Sequence, residues 1–309
     1  MNKQQRTGPL YLNTGSSRGL PCCFSLHVTW ISMLLMLVGP GNLACSDKGG
    51  PGNAEWRVFA IEYGRSPRIG RSMLILGDKT KKKVPFAWEA WLVLGKNRKI
   101  LVDTGFKDDE LARHWDVRDY RTVPSGLAEL GIKPGQITDV VLSHAHWDHI
   151  GNVLPYTHAR VWMQKREFEW ASKLVSKERP SRWGVRLVDI RALGVVRSRG
   201  LLHLVGKGAA VAHGIIFHDG GGHTKCVQWL EIRTGGPVGT VVLASDNAYV
   251  YENIKRLIPT GSTSKPDLDR LALKEMLKVA SRPDLVIPGH DPGTFKHFPR
   301  VAKGIVEIR

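Results

Sequence analysis

The chain has almost no cysteine: four in 309 residues, with Cys22, Cys23 and Cys45 inside the first 45 positions and Cys226 alone beyond them. A single thiol has nothing to pair with, so a disulfide-stapled scaffold is excluded for the main body, as is a thiolate-held metal site. Cys226 is expected to be a small buried residue rather than a nucleophile. Long apolar runs are also missing. The longest, residues 24–38, falls short of the roughly 20 residues that a membrane-spanning helix needs. No short repeat organises the sequence. Hydrophobic residues at 42% and charged residues at 24% are ordinary for a globular protein, so neither disorder nor a polytopic membrane protein is indicated.

Acid is absent from residues 1–45, which hold Lys3, Arg6 and Arg18, then the apolar stretch, a Gly39-Pro40-Gly41 break and small residues near Ala44. That order is a secretory leader, with cleavage expected near Ala44 or Cys45. Leu43-Ala44-Cys45 resembles a lipoprotein-type site, although Asn42 stands where that motif prefers an aliphatic residue. A retained membrane anchor is the competing reading. Residues 46–54, rich in Gly, Pro and Asn, read as a linker, leaving 55–309 as one domain. The expectation is therefore an exported protein, periplasmic or secreted, with lipid anchoring at Cys45 left open.

Net charge is +17, and removing the leader takes away three bases and no acid, leaving +14. Such a surface draws in anionic membranes, cell-wall polymers or nucleic acid. The run Lys79-Thr80-Lys81-Lys82-Lys83 reads as a solvated hairpin turn, however, and no aromatic and basic interleaving accompanies it. Peripheral membrane association stays open; specific nucleic-acid binding is not expected.

Along the domain, strands are predicted over 58–63, 72–76, 87–94 and 99–102, with turn signals at Gly77-Asp78 and Gly95-Lys96-Asn97. Helical spacing follows over 108–115 and 124–130, where Gly131 stops the second helix. A buried strand over 139–142 runs directly into Ser143-His144-Ala145-His146-Trp147-Asp148-His149. A short strand at 161–163 and a helix over 165–175, with Phe168 and Ala171 inward, come next. Residues 176–200 are rich in Arg and read as a surface insertion able to wall a cleft. Strands return from Leu201, and helices are predicted over 247–257 and 265–280.

A lone histidine is more often a satisfied core residue than a ligand. Four donors in six positions are not explained that way. Imidazoles at 144 and 146, with a carboxylate at 148 and a third imidazole at 149, cannot all reach one small cation without strain. In a tight loop they serve two cations that share a hydroxide. Three more candidates each follow a strand: His223 after Gly220-Gly221-Gly222, where the glycines let the backbone turn tightly; Asp246 after Val241-Val242-Leu243-Ala244-Ser245; and His290 after Leu285-Val286-Ile287-Pro288-Gly289. Seven donors suffice for two ions with a position left for water. Asp103, in Val102-Asp103-Thr104-Gly105, is placed to fix an imidazole tautomer from behind. Zinc is the default for mixed N and O donors without thiolate, and iron, manganese or cobalt fit the same atoms.

The order His144-x-His146-x-Asp148-His149, His223, Asp246, His290 resembles the metallo-β-lactamase superfamily over most of residues 56–298. The resemblance implies an α/β fold, the αββα sandwich of two mixed β-sheets flanked by helices. It implies one metal held by His144, His146 and His223, a second by Asp148, His149 and His290, and Asp246 bridging both. Ala244-Ser245-Asp246-Asn247-Ala248-Tyr249 and Val286-Ile287-Pro288-Gly289-His290-Asp291 look like the N-acyl-homoserine lactone hydrolases, quorum-quenching lactonases whose tyrosine three residues after the bridging Asp touches the substrate carbonyl. Tyr249 stands there. The implied reaction is ester hydrolysis by a metal-bridging hydroxide, with Tyr249 donating to the oxyanion and Asp148 passing a proton to the leaving alkoxide. The sequence departs from those enzymes at Gly222-His223-Thr224-Lys225-Cys226, where Pro usually precedes the His and Pro-Gly follows the Thr.

Rival readings are a β-lactam hydrolase, against which Asp246 counts, and a thioester hydrolase of the glyoxalase II kind. The latter carries a further helical domain, whereas about twenty residues follow His290 here. A phosphodiesterase is kept open by the basic surface, and a secreted metal-containing binding protein is the non-enzymatic alternative.

Overall fold

The computed structural model describes residues 56–176 and 184–309. The expected leader and linker lie outside the described residues, as do residues 177–183 of the expected insertion. A meander opens the domain: β1 (Arg57–Gly70), β2 (Lys83–Leu94) and β3 (Lys99–Val102) pair antiparallel, with α1 (Arg71–Leu74) in the first connection. The sheet then grows by parallel crossovers. Helices α2 (Asp109–His114) and α3 (Val123–Ala128) lead to β4 (Asp139–Leu142), and α4 (Trp147–Ile150) leads to β5 (Arg160–Gln164). Helices α5 (Lys165–Val175) and α6 (Leu187–Ser198) lead to β6 (Leu202–Val205).

The second sheet is built from β7 (Ala210–Ala212), β8 (Ile215–Asp219), β9 (Gln228–Arg233) and β10 (Thr240–Ser245), all antiparallel neighbours. Helices α7 (Tyr251–Arg256) and α8 (Pro266–Val279) then cross to β11 (Val286–Pro288), parallel to β10. After α9 (Thr294–His297), β12 (Arg300–Ala302) and β13 (Ile305–Ile308) return to the first sheet beside β1. The spatial orders are β12-β13-β1-β2-β3-β4-β5-β6 and β11-β10-β9-β8-β7.

The two-residue period of the strands explains the layering, because successive side chains point to opposite faces. In β2, Trp91 and Val93 join a core shared with Phe217, Leu230 and Leu243 of the second sheet, while Ala90 and Leu92 join a core with Leu127 and Ala171 of the helices. In β10, Val241 and Leu243 face the first sheet, and Val242 and Ala244 pack on Leu273 and Met276 of α8. Each sheet is thus covered on both faces, which gives the αββα sandwich. Among the described residues no helix is long and apolar enough to cross a membrane.

Three expectations are corrected. Residues 72–76 form α1 and its exit rather than a strand, since Leu74 and Ile75 are buried side by side and a one-sided strand would bury alternate residues. The carbonyl of Met73 accepts from Gly261 N at 2.8 Å, which ties the segment to the loop after α7. The described part of the Arg-rich stretch holds helix α6. Its Ile190, Leu193 and Val196 are buried at three-residue spacing, a stripe masked by the arginines between them. The helix predicted from 247 starts only at Tyr251, because Asn253 Oδ1 accepts from Tyr249 N at 3.0 Å and Val250 N at 2.9 Å and holds that stretch as a turn.

Beneath the strands that carry the first sheet's loops, Asp139 is buried at the start of β4. It accepts from Arg98 Nε at 3.0 Å, Arg160 Nε at 3.0 Å, the Trp162 indole at 2.9 Å and Thr138 Oγ1 at 2.7 Å. Burial alone would push its carboxyl up, but Arg98, Thr138 and Trp162 together hold it below the usual range. A depressed folded-state pKa contributes stability above the unfolded value, which is lost as pH falls through the folded one. Asp139→Ala is expected to lower the unfolding free energy by about 3 kcal/mol at neutral pH, by orphaning these donors. Urea titration should show that deficit, and the difference from the parent should narrow below about pH 4.

Candidate metal centre

All seven expected donors sit where strands end. His144 and His146 follow β4, Asp148 and His149 lie in α4, His223 is in the loop between β8 and β9, Asp246 follows β10 and His290 follows β11. One atom from each of His144, His146, His223 and Asp246 lies within 4.8 Å of the others, and the same holds for Asp148, His149 and His290. Asp246 joins the groups. Its Oδ2 is 3.1 Å from His223 Nε2 and 3.5 Å from His144 Nε2, while Oδ1 is 3.0 Å from His290 Nε2 and 3.2 Å from His149 Nε2.

Ring orientations are fixed from behind, which decides which nitrogen faces inward. His149 Nδ1 pairs with Asp103 Oδ2 at 2.7 Å, His290 Nδ1 with the Ala87 carbonyl at 2.8 Å, and His144 Nδ1 with Ser143 Oγ at 3.0 Å. Asp103 also accepts from Ser143 N and Ser143 Oγ, both at 2.8 Å. It adopts φ of 61°, a left-handed conformation that Asp tolerates better than most residues. Ser245, just before Asp246, is likewise left-handed at φ of 47°. A Cβ on Gly289 would lie 2.9 Å from the Ser245 backbone carbonyl and 3.0 Å from Asp246 Oδ1, so glycine lets this strand end approach the Ser245–Asp246 turn closely.

The donor set fits divalent cations. Ring nitrogens of His223 and His146 face each other at 2.9 Å and those of His144 and His146 at 3.1 Å, a convergence of lone pairs that a cation relieves. His149 Nε2 is buried and makes no hydrogen bond among the described residues. Burial, then neighbouring His149, holds His144 well below the usual imidazole range, and burial followed by His223 lowers His146 to about 3. Both stay neutral donors at neutral pH. Burial opposes charge on His149 too, but Asp148, Asp246 and Asp103 overcome it and raise that imidazole well above its ordinary value. Asp246 is pushed up by burial and more strongly down by His149 and His290, ending well below the carboxylate range. Buried carboxylates here demand positive charge, and the N and O donors suit zinc, iron, manganese or cobalt.

The reason for Gly220-Gly221-Gly222 differs from the expected one. None of the three has a positive φ. Each is instead pressed by a neighbour, since a Cβ would collide with Asn247, Asp269 and Lys265 respectively. Asn247 Oδ1 accepts from Gly221 N at 2.7 Å and Asp269 Oδ1 from Gly222 N at 2.6 Å. Glycine is needed for close approach rather than for a sharp turn.

Sequence reasoning missed Glu167. Fully buried on α5, it accepts from Ala145 N at 3.1 Å with one oxygen and from Cys226 N at 2.7 Å with the other. It therefore bridges the His144–His146 turn and the His223 loop. Its place on the same inward arc as Phe168 and Ala171 was the available signal. Cys226 is buried and unpaired, as expected.

A cavity of about 740 Å³ opens over the donors. Phe86, Trp88, Trp115, Trp147 and Trp170 form apolar wall, and Tyr249, Ser262, Lys225 and Lys265 are polar. The Tyr249 phenol is 2.8 Å from Ser262 Oγ. Burial and the nearby Asp246 carboxylate raise its pKa well above the usual value, so it remains a proton donor at neutral pH.

Glu167→Gln keeps the shape but offers one acceptor oxygen to two N–H donors. Metal affinity is expected to fall about 10- to 100-fold, as for other supporting residues behind metal ligands, with the far-ultraviolet spectrum unchanged. Competition with a chromophoric chelator measures it.

By sequence, none of the curated proteins matches the chain. By structure it is similar to an N-acyl homoserine lactone hydrolase solved with the product N-hexanoyl-L-homoserine at its catalytic metal centre, at TM-score 0.67 and 21% identity over 80% of this chain and 98% of that one. A variant of B. thuringiensis AiiA with N-decanoyl-L-homoserine bound at the active site gives 0.66 and 22%, over 80% and 98%. AidC, a dizinc quorum-quenching lactonase, gives 0.56 and 20%, over 73% and 83%. At such identities these likenesses establish the fold. The family model of the metallo-beta-lactamase superfamily matches residues 89–290, about two thirds of the chain with all seven donors inside it. The chain belongs to the metallo-β-lactamase superfamily and is a metal-dependent hydrolase.

Proposed function

We propose that the protein hydrolyses the ester bond of a lactone, with N-acyl-homoserine lactones as the first class to test. The observation that carries this reading is Tyr249. Its protonated phenol stands in the cavity wall three residues after Asp246, held by Ser262 Oγ at 2.8 Å. A neutral phenol beside the ligand set is a hydrogen-bond donor for the oxyanion that forms when an ester carbonyl is attacked.

His144, His146 and His223 would hold one cation and Asp148, His149 and His290 the other, and Asp246 would contribute to both. When bound, two divalent cations supply Lewis acidity and bring the pKa of water toward neutrality. The chain supplies the rest. Tyr249 Oη donates to the carbonyl oxygen as charge builds there. Asp148 lines the cavity and is a carboxylate, since His149 and His290 outweigh the upward push of burial. It takes the proton of the attacking water and passes it to the alkoxide oxygen of the opened ring. The aromatic wall receives the acyl chain and excludes bulk water from the reacting carbonyl.

Zinc is the first metal to supply, and a panel of acyl-homoserine lactones, simple esters, a cephalosporin and a phosphodiester separates the reaction classes. Lactone opening should dominate; a phosphodiester or cephalosporin turned over faster would overturn the reading. Tyr249→Phe should lower lactone turnover on the order of 100-fold, the cost of one oxyanion donor, with metal content unchanged. Chelation should abolish turnover and lower the melting temperature by about 5–10 °C, because the ions bind only the folded chain. Calorimetry before and after zinc is restored checks this.

A further inference from the structure

The wall of the cavity is chemically two-sided. On one side Phe86, Trp88, Trp115 and Trp147 touch one another, with ring centroids 5.0 Å apart for Phe86–Trp88, 5.3 Å for Trp88–Trp147 and 6.0 Å for Trp88–Trp115. On the other side the loop that carries His223 lies against the segment that opens α8. Ser264 N and Ser264 Oγ both donate to the Gly222 carbonyl, at 2.9 and 2.8 Å, and a Cβ on Gly222 would meet Lys265 at 2.5 Å. That contact sets Lys225, three residues beyond Gly222, and Lys265 on the same polar side. Both line the cavity, both are exposed, and neither makes an ion pair among the described residues. Among the described residues the acids lining the cavity are Asp148 and Asp246, and both belong to the ligand set. Two ammonium groups therefore face the substrate's space, neither paired with a carboxylate among the described residues.

We propose that this cavity selects an anionic amphiphile: an ester or lactone carrying a carboxylate apart from the scissile carbonyl, held by Lys225 and Lys265 while its apolar part lies on the tryptophan wall. This rests on the reading of the cavity as the substrate site of an ester hydrolase and narrows the substrate class within it. A neutral acyl-homoserine lactone fills the apolar side and leaves both lysines without a partner. An acyl chain ending in an acid satisfies both sides. Lysine presents a point charge rather than a shaped fork, so the selection is for charge and for its distance from the carbonyl.

The test has a binding arm and a turnover arm, both on the zinc-loaded full chain. Tryptophan fluorescence reports the affinity of decanedioate against decanoate, a pair that shares one carboxylate and differs in the second. The diacid is expected to bind about tenfold tighter, the effect of one charge-assisted contact with two lysines. Raising sodium chloride in the parent protein should shrink that ratio. In Lys225→Gln/Lys265→Gln the ratio should fall below about twofold, whereas Lys225→Arg/Lys265→Arg should retain it. In the turnover arm, the p-nitrophenyl monoester of hexanedioic acid is expected to exceed p-nitrophenyl hexanoate in kcat/KM by a similar factor, lost in the glutamine pair. Equal affinity for diacid and monoacid in the parent chain, or a preference that survives the glutamine pair, overturns the proposal. If no ester is hydrolysed while the diacid preference still follows the lysines, the hydrolase assignment of the cavity falls and the selectivity stands.

Discussion

One carboxylate holds the two halves of this centre together. Asp246 turns Oδ2 toward His144 and His223 and Oδ1 toward His149 and His290, so donors from both sheets converge on a single side chain. Burying a carboxylate without compensation is costly. Here the compensation comes first from His149 and His290, which hold the Asp246 carboxyl well below its usual range against the push of burial. The geometry leaves little slack. Ser245 must adopt a left-handed backbone to aim the next residue, and position 289 must lack a Cβ. Both constraints fall at strand ends, where β10 and β11 run parallel and deliver Asp246 and His290 to one edge of the sandwich.

Around that carboxylate lies a frame of other buried polar side chains that touch the backbone rather than any ion. Asp103 sets Ser143 and the His149 ring, Glu167 joins the His144–His146 turn to the His223 loop, and Asn247 and Asp269 hold the glycine run. Each accepts from backbone N–H groups that loops leave unpaired, and a buried network of this kind is favourable only when its members are satisfied. Loops without regular hydrogen-bonding ladders are thereby made as fixed as the strands they leave. Ligand placement depends on this frame as much as on the ligands, since a ring turned the wrong way offers the wrong nitrogen.

What could be read from the chain follows from the range of the interactions involved. Donor spacing in the His144–His149 turn is local, so it was legible, and the buried strand over 139–142 was legible as a short apolar run. The sandwich itself came from the resemblance, because no local pattern states which face of one sheet meets the other. Contacts between distant loops were not legible. Asp269 under Gly222 and Glu167 under Cys226 join positions 47 and 59 residues apart, and nothing in either neighbourhood announces the partner. The glycine run was noticed for the wrong physical reason, since crowding by a distant residue and freedom of φ leave the same letter in the sequence. Helix α6 and the helix at residues 71–74 were misread for a related reason. Arginines hid a three-residue stripe in one, and a short apolar run fitted either period in the other.

The candidate metal centre and the wall proposed to select the substrate come from different parts of the fold. The floor of the cavity is made by strand ends and their buried clamps, whose positions both sheets determine. Its polar wall is made by the loop after β8 and the segment before α8, which meet through Gly222 and Ser264. Substitution on that wall changes charge without disturbing a ligand, because Lys225 and Lys265 project from the surface while Thr224 and Cys226 beside them are buried. The departures from the lactone-hydrolase resemblance, at Gly222, Lys225 and Cys226, fall on the loop that makes this wall. A site arranged in this way keeps its hydrolytic chemistry while its preferred substrate shifts by one or two exposed side chains, and the chemistry of the floor alone does not fix what enters.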